Sequence, residues 1–498
     1  MVQQNKTKVI IAGGGTAGWL TAYALAKRLG SLLDITLVES DQIGTVGVGE
    51  ATIPTMRSFH QLMEIDEREF MRATQATFKL GIEFNNWGGV GESYVHSFGA
   101  IGQTTWLTEF HQYWLAANAQ GFGGSLEDYC LELKAAKASK FALKAGKTPV
   151  NYAFHLDATA YAQFLRQKSE AIGVNRVEGK IVETKLNPST GDIQSLQLDK
   201  NRELNADFFI DCTGFRSLLL GEALNVEYEN WSHWLASDSA QAVQTKSTEP
   251  PIPYTKATAH SAGWQWKIPL QHRTGNGIVY SSQFCDDAAA QKTLTEHLSG
   301  DTLTQPRVIK FTTGMRDIAW KKNCVAIGLA NGFLEPLEST SIHLITTALI
   351  RLMRLFPFAG NSAPLADRFN RETRFEWEAV RDFIILHYKQ TRRDDSDFWN
   401  YYRTMAIPES LAHRLELFKE QGYVWPDAVN LFRVDSWIQV MMGQGLFPES
   451  RHGAGHILPP QALQAQLEKL KAFVANNLAQ MPSHSEFIAQ YCAATEQS

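Results

Sequence analysis

The stretch KVIIAGGGTAGWLTAYALAKRLG, residues 8–30, constrains the fold more than any other part of the chain. A short β-branched run is followed at once by glycines and then by helical periodicity ending at Gly30, and DITLVES reads as a second strand. That is a βαβ unit with Gly13, Gly15 and Gly18 in G-x-G-x-x-G spacing around Thr16 and Ala17. The first glycine permits a tight turn, the second lets backbone approach a pyrophosphate, and the third lets helix and strand pack closely. The helix N-terminus then faces the phosphate charge. Glu39 closes the second strand about 20 residues on, where a carboxylate accepts hydrogen bonds from a ribose. A glycine turn that binds nothing is the plainer alternative, but strand, helix and acid together point to a bound dinucleotide.

FAD and NAD share this pattern. The segment NADFFIDCTGFRS resembles the second contact segment of FAD-binding monooxygenase-type folds, with a strand ending at Asp211 before Thr213 and Gly214. One G-x-G-x-x-G stands in convincing context, so hydride is expected from a separate protein.

Composition excludes several classes. With 47 basic against 52 acidic residues and no basic block, the chain has no electrostatic footprint for nucleic acid. Five cysteines, an odd number without C-x-x-C spacing, argue against a disulfide framework or structural zinc and fit a cytoplasmic protein. No secretory signal and no apolar run long enough to span a membrane is present. A small-molecule ligand and no metal are expected.

Further along, DATAYAQFLRQKSEAIG reads as a helix and IVETKLN, IQSLQLD and ADFFIDCTG as strands. AGWQWKIPLQ and IVYSSQFC read as a hairpin turning at HRTGNG. From SIHLITTALIRLMRLF onward the chain is mostly helical. No Pro/Gly-rich linker divides these parts, so interleaved modules are expected.

Three spots carry chemistry. Trp264, Trp266 and Ile268 share one strand face, making a wall of two indoles or simply an aromatic core. LEST opens a helix that Ser339 or Thr340 is placed to cap, with Glu338 near the positive end of its dipole and free N–H groups able to hold an anion. Lys79 ends the apparent helix REFMRATQATFK before Gly81, where a cation is favoured by about 0.3–1 kcal/mol.

GGGTAGW, VGVGEATIP, Lys79, GWQWKIP, FLEPLESTSI and HYKQTRRDDSDFW together resemble the flavin-dependent halogenases of the tryptophan halogenase family, in that family's order. The W-x-W-x-I-P block is the most specific. The resemblance implies an α/β, FAD-binding monooxygenase-like (glutathione-reductase-type) dinucleotide fold with an interleaved β-rich substrate module and a helical C-terminal region. Residues 1–350 would form the discontinuous core, with substrate-pocket segments near 85–160 and a β-sheet near 225–320, and residues 351–498 would complete the substrate site. It further implies that reduced FAD, supplied by a flavin reductase, and O2 convert a halide (chloride or bromide) to hypohalous acid, which is directed onto an electron-rich aromatic.

The cofactor-binding positions implied are Gly13, Gly15, Thr16, Ala17, Gly18 and Glu39, then Glu50, Ala51, Val182, Asp211, Gly328 and Ile342. Thr340 and Ser341 would hold the halide, Ser341 standing where the family has glycine. Lys79 and Glu338 match the family's two catalytic residues. His96, Phe98, Trp264, Trp266, Ser339 and Trp437 would line the tunnel and substrate pocket. In NLFRVDSWIQVMMGQG no Tyr–Tyr pair or placed glutamate precedes Trp437 to grip free tryptophan, so indole or a simple substituted indole is the expected substrate. A flavin monooxygenase acting without halide, and a flavin-binding protein without turnover, are the competing classes.

Overall fold

The computed structural model describes residues 6–44, 49–425 and 431–494, so Val46–Val48 of VGVGEATIP and Asn430 lie outside it. Its contacts divide the chain into two interleaved units: 1–76 with 156–238 and 310–378, and 77–155 with 239–309 and 379–498.

In the first unit, Thr7–Ala12 is a central strand of a sheet ordered Asn175–Glu178, Leu33–Glu39, Thr7–Ala12, Phe208–Asp211, Cys324–Ala326, Trp320–Lys321. The first five strands are parallel and the last is antiparallel. Val9, Ile10, Ile11 and Ala12 are all buried, as expected of a strand covered on both faces. The helix Thr16–Leu29 packs against Ala158–Ala171, which starts where the Asp157 carboxylate accepts the Thr159 and Ala160 N–H groups. A small antiparallel sheet of Ile181–Leu186, Ile193–Leu198 and Arg202–Asn205 follows the reading of those strands.

The strand ending at Asp211 closes on a buried hub. One carboxylate oxygen accepts from the backbone N–H and hydroxyl of Thr213, and the other from Ser217 Oγ and the N–H groups of Leu219 and Leu220. Five donors exhaust the roughly four acceptor sites of a carboxylate. The Asp211 carboxylate thus shapes the turn through Thr213 and Gly214 that carries the expected cofactor contacts.

The second unit is built on a seven-stranded sheet ordered Arg307–Lys310, Ser239–Lys246, Arg273–Tyr280, Gly263–Pro269, Thr255–His260, Gly81–Asn85, Ser93–Ser97. The GWQWKIP hairpin exists, but its turn is shorter than HRTGNG. Leu270 N–H bonds the Arg273 carbonyl, and Thr274–Gly277 already lie in the strand. Gly277 is there because it opposes Trp266, whose ring a Cβ would meet at 2.0 Å. That glycine marks close approach, not a turn. Helices including Asp397–Thr404, Glu409–Gln421, Val434–Gly443, Pro460–Gln480 and His484–Tyr491 follow the expected helical C-terminal stretch.

Replacing Asp211 with Ala leaves buried donors unmatched and should cost about 3 kcal/mol, read as a lower urea midpoint by tryptophan fluorescence.

Candidate functional site

In the first unit the glycine turn is shaped by contacts on three sides. Gly13 has φ +107°, and a Cβ there would lie 2.2 Å from the Cys212 carbonyl oxygen. At Gly18 a Cβ would meet the Gly13 carbonyl at 1.8 Å, which is the close strand–helix approach. Gly14, unassigned in the motif, is needed too, because the Glu39 carboxylate occupies the space a side chain would take. Gly15 alone faces open space, directly at the start of Thr16–Leu29, whose first turn has no side-chain cap. That combination of uncapped N–H groups and an empty cradle fits a pyrophosphate. Glu39 Oε1 takes Arg176 Nε at 2.6 Å with Arg166 Nη1 at 3.6 Å, and Oε2 takes Trp19 Nε1 at 3.4 Å, leaving an acceptor site on Oε2 for a ribose hydroxyl.

Gly328 (φ +71°) seats the turn Gly328–Ala330 against the same helix start: a Cβ there would be 2.9 Å from Ala17 Cβ. Thr16 Oγ1 lies 3.5 Å from the Ala158 carbonyl. Ala51 and Ile342 are buried, whereas Val182 is 62% exposed on its strand. Glu50 is half-buried, and burial pushes its carboxyl up to about 7.

The helix Ser341–Arg354 begins as expected with Thr340 at its N-cap position, but the Thr340 side chain makes no capping hydrogen bond. Ser339 sits in the left-handed region (φ 60°, ψ 37°) and closes the short turn Pro336–Glu338, which sets Thr340 in helical geometry. Glu338 is fully buried at that turn. The Thr340 half of the capping reading is therefore set aside: Thr340 stands at a buried helix N-terminus without capping it. Thr340 Oγ1, fully buried, has no hydrogen-bond partner among the described residues. An orphaned hydroxyl beside uncapped N–H groups fits a small anion.

In the second unit, Lys79 does not cap a helix. The helix ends at Ala73, where Thr74 Oγ1 bonds the Phe70 carbonyl and Gln75 turns left-handed (φ 54°). Thr77–Lys79 then runs as a strand paired with Ala153–Asp157, and Lys79 is 0% exposed. Its Nζ stands 5.2 Å from the Phe98 ring centroid. The Phe98 N–H bonds the Leu80 carbonyl, which ties the two segments together.

His96 is buried, with its ring 5.5 Å from Phe383 and 6.2 Å from Phe432. Phe383 meets Trp437 edge-on at 4.9 Å, and the Arg414 guanidinium lies 4.3 Å from the Trp437 ring. Among the described residues Trp437 Nε1 is buried without a hydrogen-bond partner. Trp264 and Trp266 lie 6.1 Å apart on one strand, and Trp264 continues to Trp87 at 6.3 Å. Two sets thus form within this unit: Lys79 with Phe98, and His96 with Phe383, Phe432 and Trp437. Phe383 and Phe432 were invisible as site residues in the sequence, since an aromatic on a helix or loop reads as core.

Among known proteins, the tryptophan halogenase family model matches residues 8–460. The chain belongs to the tryptophan halogenase family. It is 33% identical to a tryptophan 6-halogenase of Streptomyces toxytricini over 98% of this chain and 99% of that protein. It is also 33% identical to the tryptophan 7-halogenase RebH of Lentzea aerocolonigenes, over 97% of this chain and 98% of that one. A solved flavin-dependent halogenase from Xanthomonas campestris superposes with a TM-score of 0.97 at 49% identity, covering 99% of this chain and 100% of that chain. One from Brevundimonas sp. BAL3 gives 0.93 at 44% identity, covering 98% and 100%. The protein is a flavin-dependent halogenase, an oxidoreductase using FAD, halide and O2. Among the described residues no helix is long and apolar enough to cross a membrane.

Two outcomes follow for this halogenase. Gly15→Ala keeps allowed backbone angles but fills the cradle, so FAD affinity should drop about tenfold in a fluorescence titration with the melting temperature unchanged. The raised Glu50 carboxyl makes stability fall as pH rises from the ordinary carboxyl range through about 7, because the unfolded chain gives up that proton first. Glu50→Gln should remove that slope, worth about 1–2 kcal/mol after allowing for partial exposure, as seen by denaturation at pH 4.5 and 8.

Proposed function

We propose that this halogenase acts on indole or a simple substituted indole, with Lys79 as the group that directs the halogen. Lys79 is the observation that carries the reading: an ammonium wholly withdrawn from solvent with an aromatic face 5.2 Å away. Burying such a charge costs several kcal/mol, and a cation–π contact returns about 0.5–2 kcal/mol. A packing role would be filled at lower cost by a methionine, so the charge itself is being kept.

Reduced FAD, bound through the glycine turn, Glu39 and the segments at Glu50, Ala51, Val182, Gly328 and Ile342, supplies with O2 the power to oxidise halide to hypohalous acid. The uncapped N–H groups and free hydroxyl at Thr340–Ser341 hold the halide. Trp264 and Trp266 wall the passage and exclude water. The Lys79 ammonium then donates a hydrogen bond to the oxygen of hypohalous acid and presents its halogen to one ring carbon; as the carbon–halogen bond forms the oxygen–halogen bond breaks, and the departing hydroxide and the ring proton leave as water. His96, Phe98 and Trp437 hold the ring by its faces, and Glu338, matching the family's second catalytic residue, is a carboxylate of the kind that stabilises developing positive charge. The glutathione-reductase-type FAD fold, the segments near 85–160 and 225–320, and the helical 351–498 stretch supply these parts. The lone G-x-G-x-x-G supports delivery of reduced flavin by a separate reductase in the cytoplasm.

The relatives named above are tryptophan halogenases, but the stretch before Trp437 offers Phe432, Arg433 and Asp435 in place of a tyrosine pair, which supports an indole without an amino-acid head group.

With reductase, NADH, FAD, bromide and indole, mass spectrometry should find monobrominated indole, absent when bromide is omitted. Lys79→Ala should lose that product about a hundredfold or more while hydrogen peroxide release continues. Oxygenated indole made without halide would instead indicate a monooxygenase. Turnover of indole should exceed that of free tryptophan, and a strong preference for tryptophan overturns the substrate assignment.

A further inference from the structure

The strand Thr77–Lys79 lies at the edge of its small sheet, and its outward N–H groups must find partners elsewhere. Leu80 N–H reaches the Pro253 carbonyl directly at 2.7 Å. Two residues earlier, Phe78 N–H reaches no backbone carbonyl of the described residues on that side. Instead it donates to His484 Nε2 at 3.2 Å, while His484 Nδ1 donates to the Pro251 carbonyl at 2.7 Å. The EPPIPY segment, poor in N–H groups, cannot pair as a regular strand, and an imidazole is inserted to complete the ladder.

The tautomer follows from the partners. An amide N–H only donates and a carbonyl only accepts, so His484 carries its proton on Nδ1 and is bare at Nε2. Protonating Nε2 would break the bond to Phe78. His155, opposite Thr77, is fixed in the same way. The Thr77 hydroxyl gives its proton to the Pro269 carbonyl at 2.7 Å and so accepts from His155 Nδ1 at 3.1 Å. His155 Nε2 then accepts from the Thr255 hydroxyl at 2.9 Å. Burial holds both imidazoles neutral, His484 down to about 4, and the charge on Lys79 further disfavours a proton on His155. His484 opens the helix His484–Tyr491, which Ser483 and Glu486 cap reciprocally and which packs Phe487 and Tyr491 against the Phe78 ring.

We propose that His484 is a positioning residue for Lys79: its bond to the Phe78 N–H, matched by the Leu80–Pro253 bond, clamps the backbone on both sides of the lysine and so fixes where the ammonium points. This rests on Lys79 being the directing group. The C-terminal helix thereby serves the reaction without touching substrate.

The test pairs His484→Gln, whose amide oxygen can stand where Nε2 does, with His484→Asn, which keeps a polar group near Nδ1 but cannot reach Phe78. With reductase, FAD, bromide and indole, the readouts are bromoindole formed per O2 consumed, hypobromous acid captured by an added scavenger, and the melting temperature. The Gln protein should stay within about twofold of the parent in bromoindole per O2. The Asn protein should fall about tenfold or more, with O2 consumption unchanged and captured hypobromous acid raised. Phe487→Leu, which loosens packing on Phe78 but leaves both imidazole bonds, should keep the parent ratio. Equal ratios in the Gln and Asn proteins, or a Phe487→Leu loss as large as that of Asn, overturn the proposal. If the Asn protein does not fold, a folded Gln protein with a collapsed ratio overturns it and one with the parent ratio sustains it. A Lys79→Ala protein that keeps the parent ratio would instead refute the role of the lysine itself.

Discussion

Holding one ammonium inside a protein is the demand around which the second unit is arranged. A charge removed from water must be surrounded by groups that favour it, and by none that compete with it. At Lys79 the face of Phe98 meets the first need in part. The second is met by two imidazoles that hydrogen bonding and burial keep neutral. Burial also sharpens the function, because a hydrogen bond from a cation is stronger where water is excluded. In the role proposed for Lys79, the burial that makes it costly for stability also strengthens its hydrogen bond to hypohalous acid.

The first unit meets an opposite demand, that of receiving anions. Both of its candidate anion sites are helix starts with no side-chain cap, one after Gly15 and one at Thr340. A capping side chain would satisfy the N–H groups and remove the site. Gly14, Gly18 and Asp211 bear the structural load around the first, and the left-handed Ser339 sets the second, a backbone conformation that costs a non-glycine residue about 1 kcal/mol. Ser341 takes ordinary helical backbone at the first position of its helix.

Much of this was legible in the sequence where a local pattern carries the information. The βαβ unit, the strand ending at Asp211 and the long helix after Thr340 lie where periodicity and glycine spacing put them. Lys79 was misread as a helix end because charge and spacing continue the helical pattern, while the turn at Gln75 and the side-chain bond of Thr74 are tertiary choices. Gly277 of HRTGNG was misread as part of a turn because a glycine that admits an opposing indole looks the same as one that bends a chain. The turn hub at Asp211 was not legible, because a carboxylate at a strand end signals a ligand and a turn hub equally well. His484 lies some four hundred positions from Phe78, and no spacing rule joins them.

The most direct test of the central claim is a crystal structure of the protein with FAD, bromide and indole, with bromide located by anomalous scattering. The account predicts bromide against the backbone of Thr340 and Ser341, and an indole ring carbon about 5 Å or less from Lys79 Nζ, with room between them for one halogen. Indole bound elsewhere, with the ammonium sealed off by protein on every side, would contradict it.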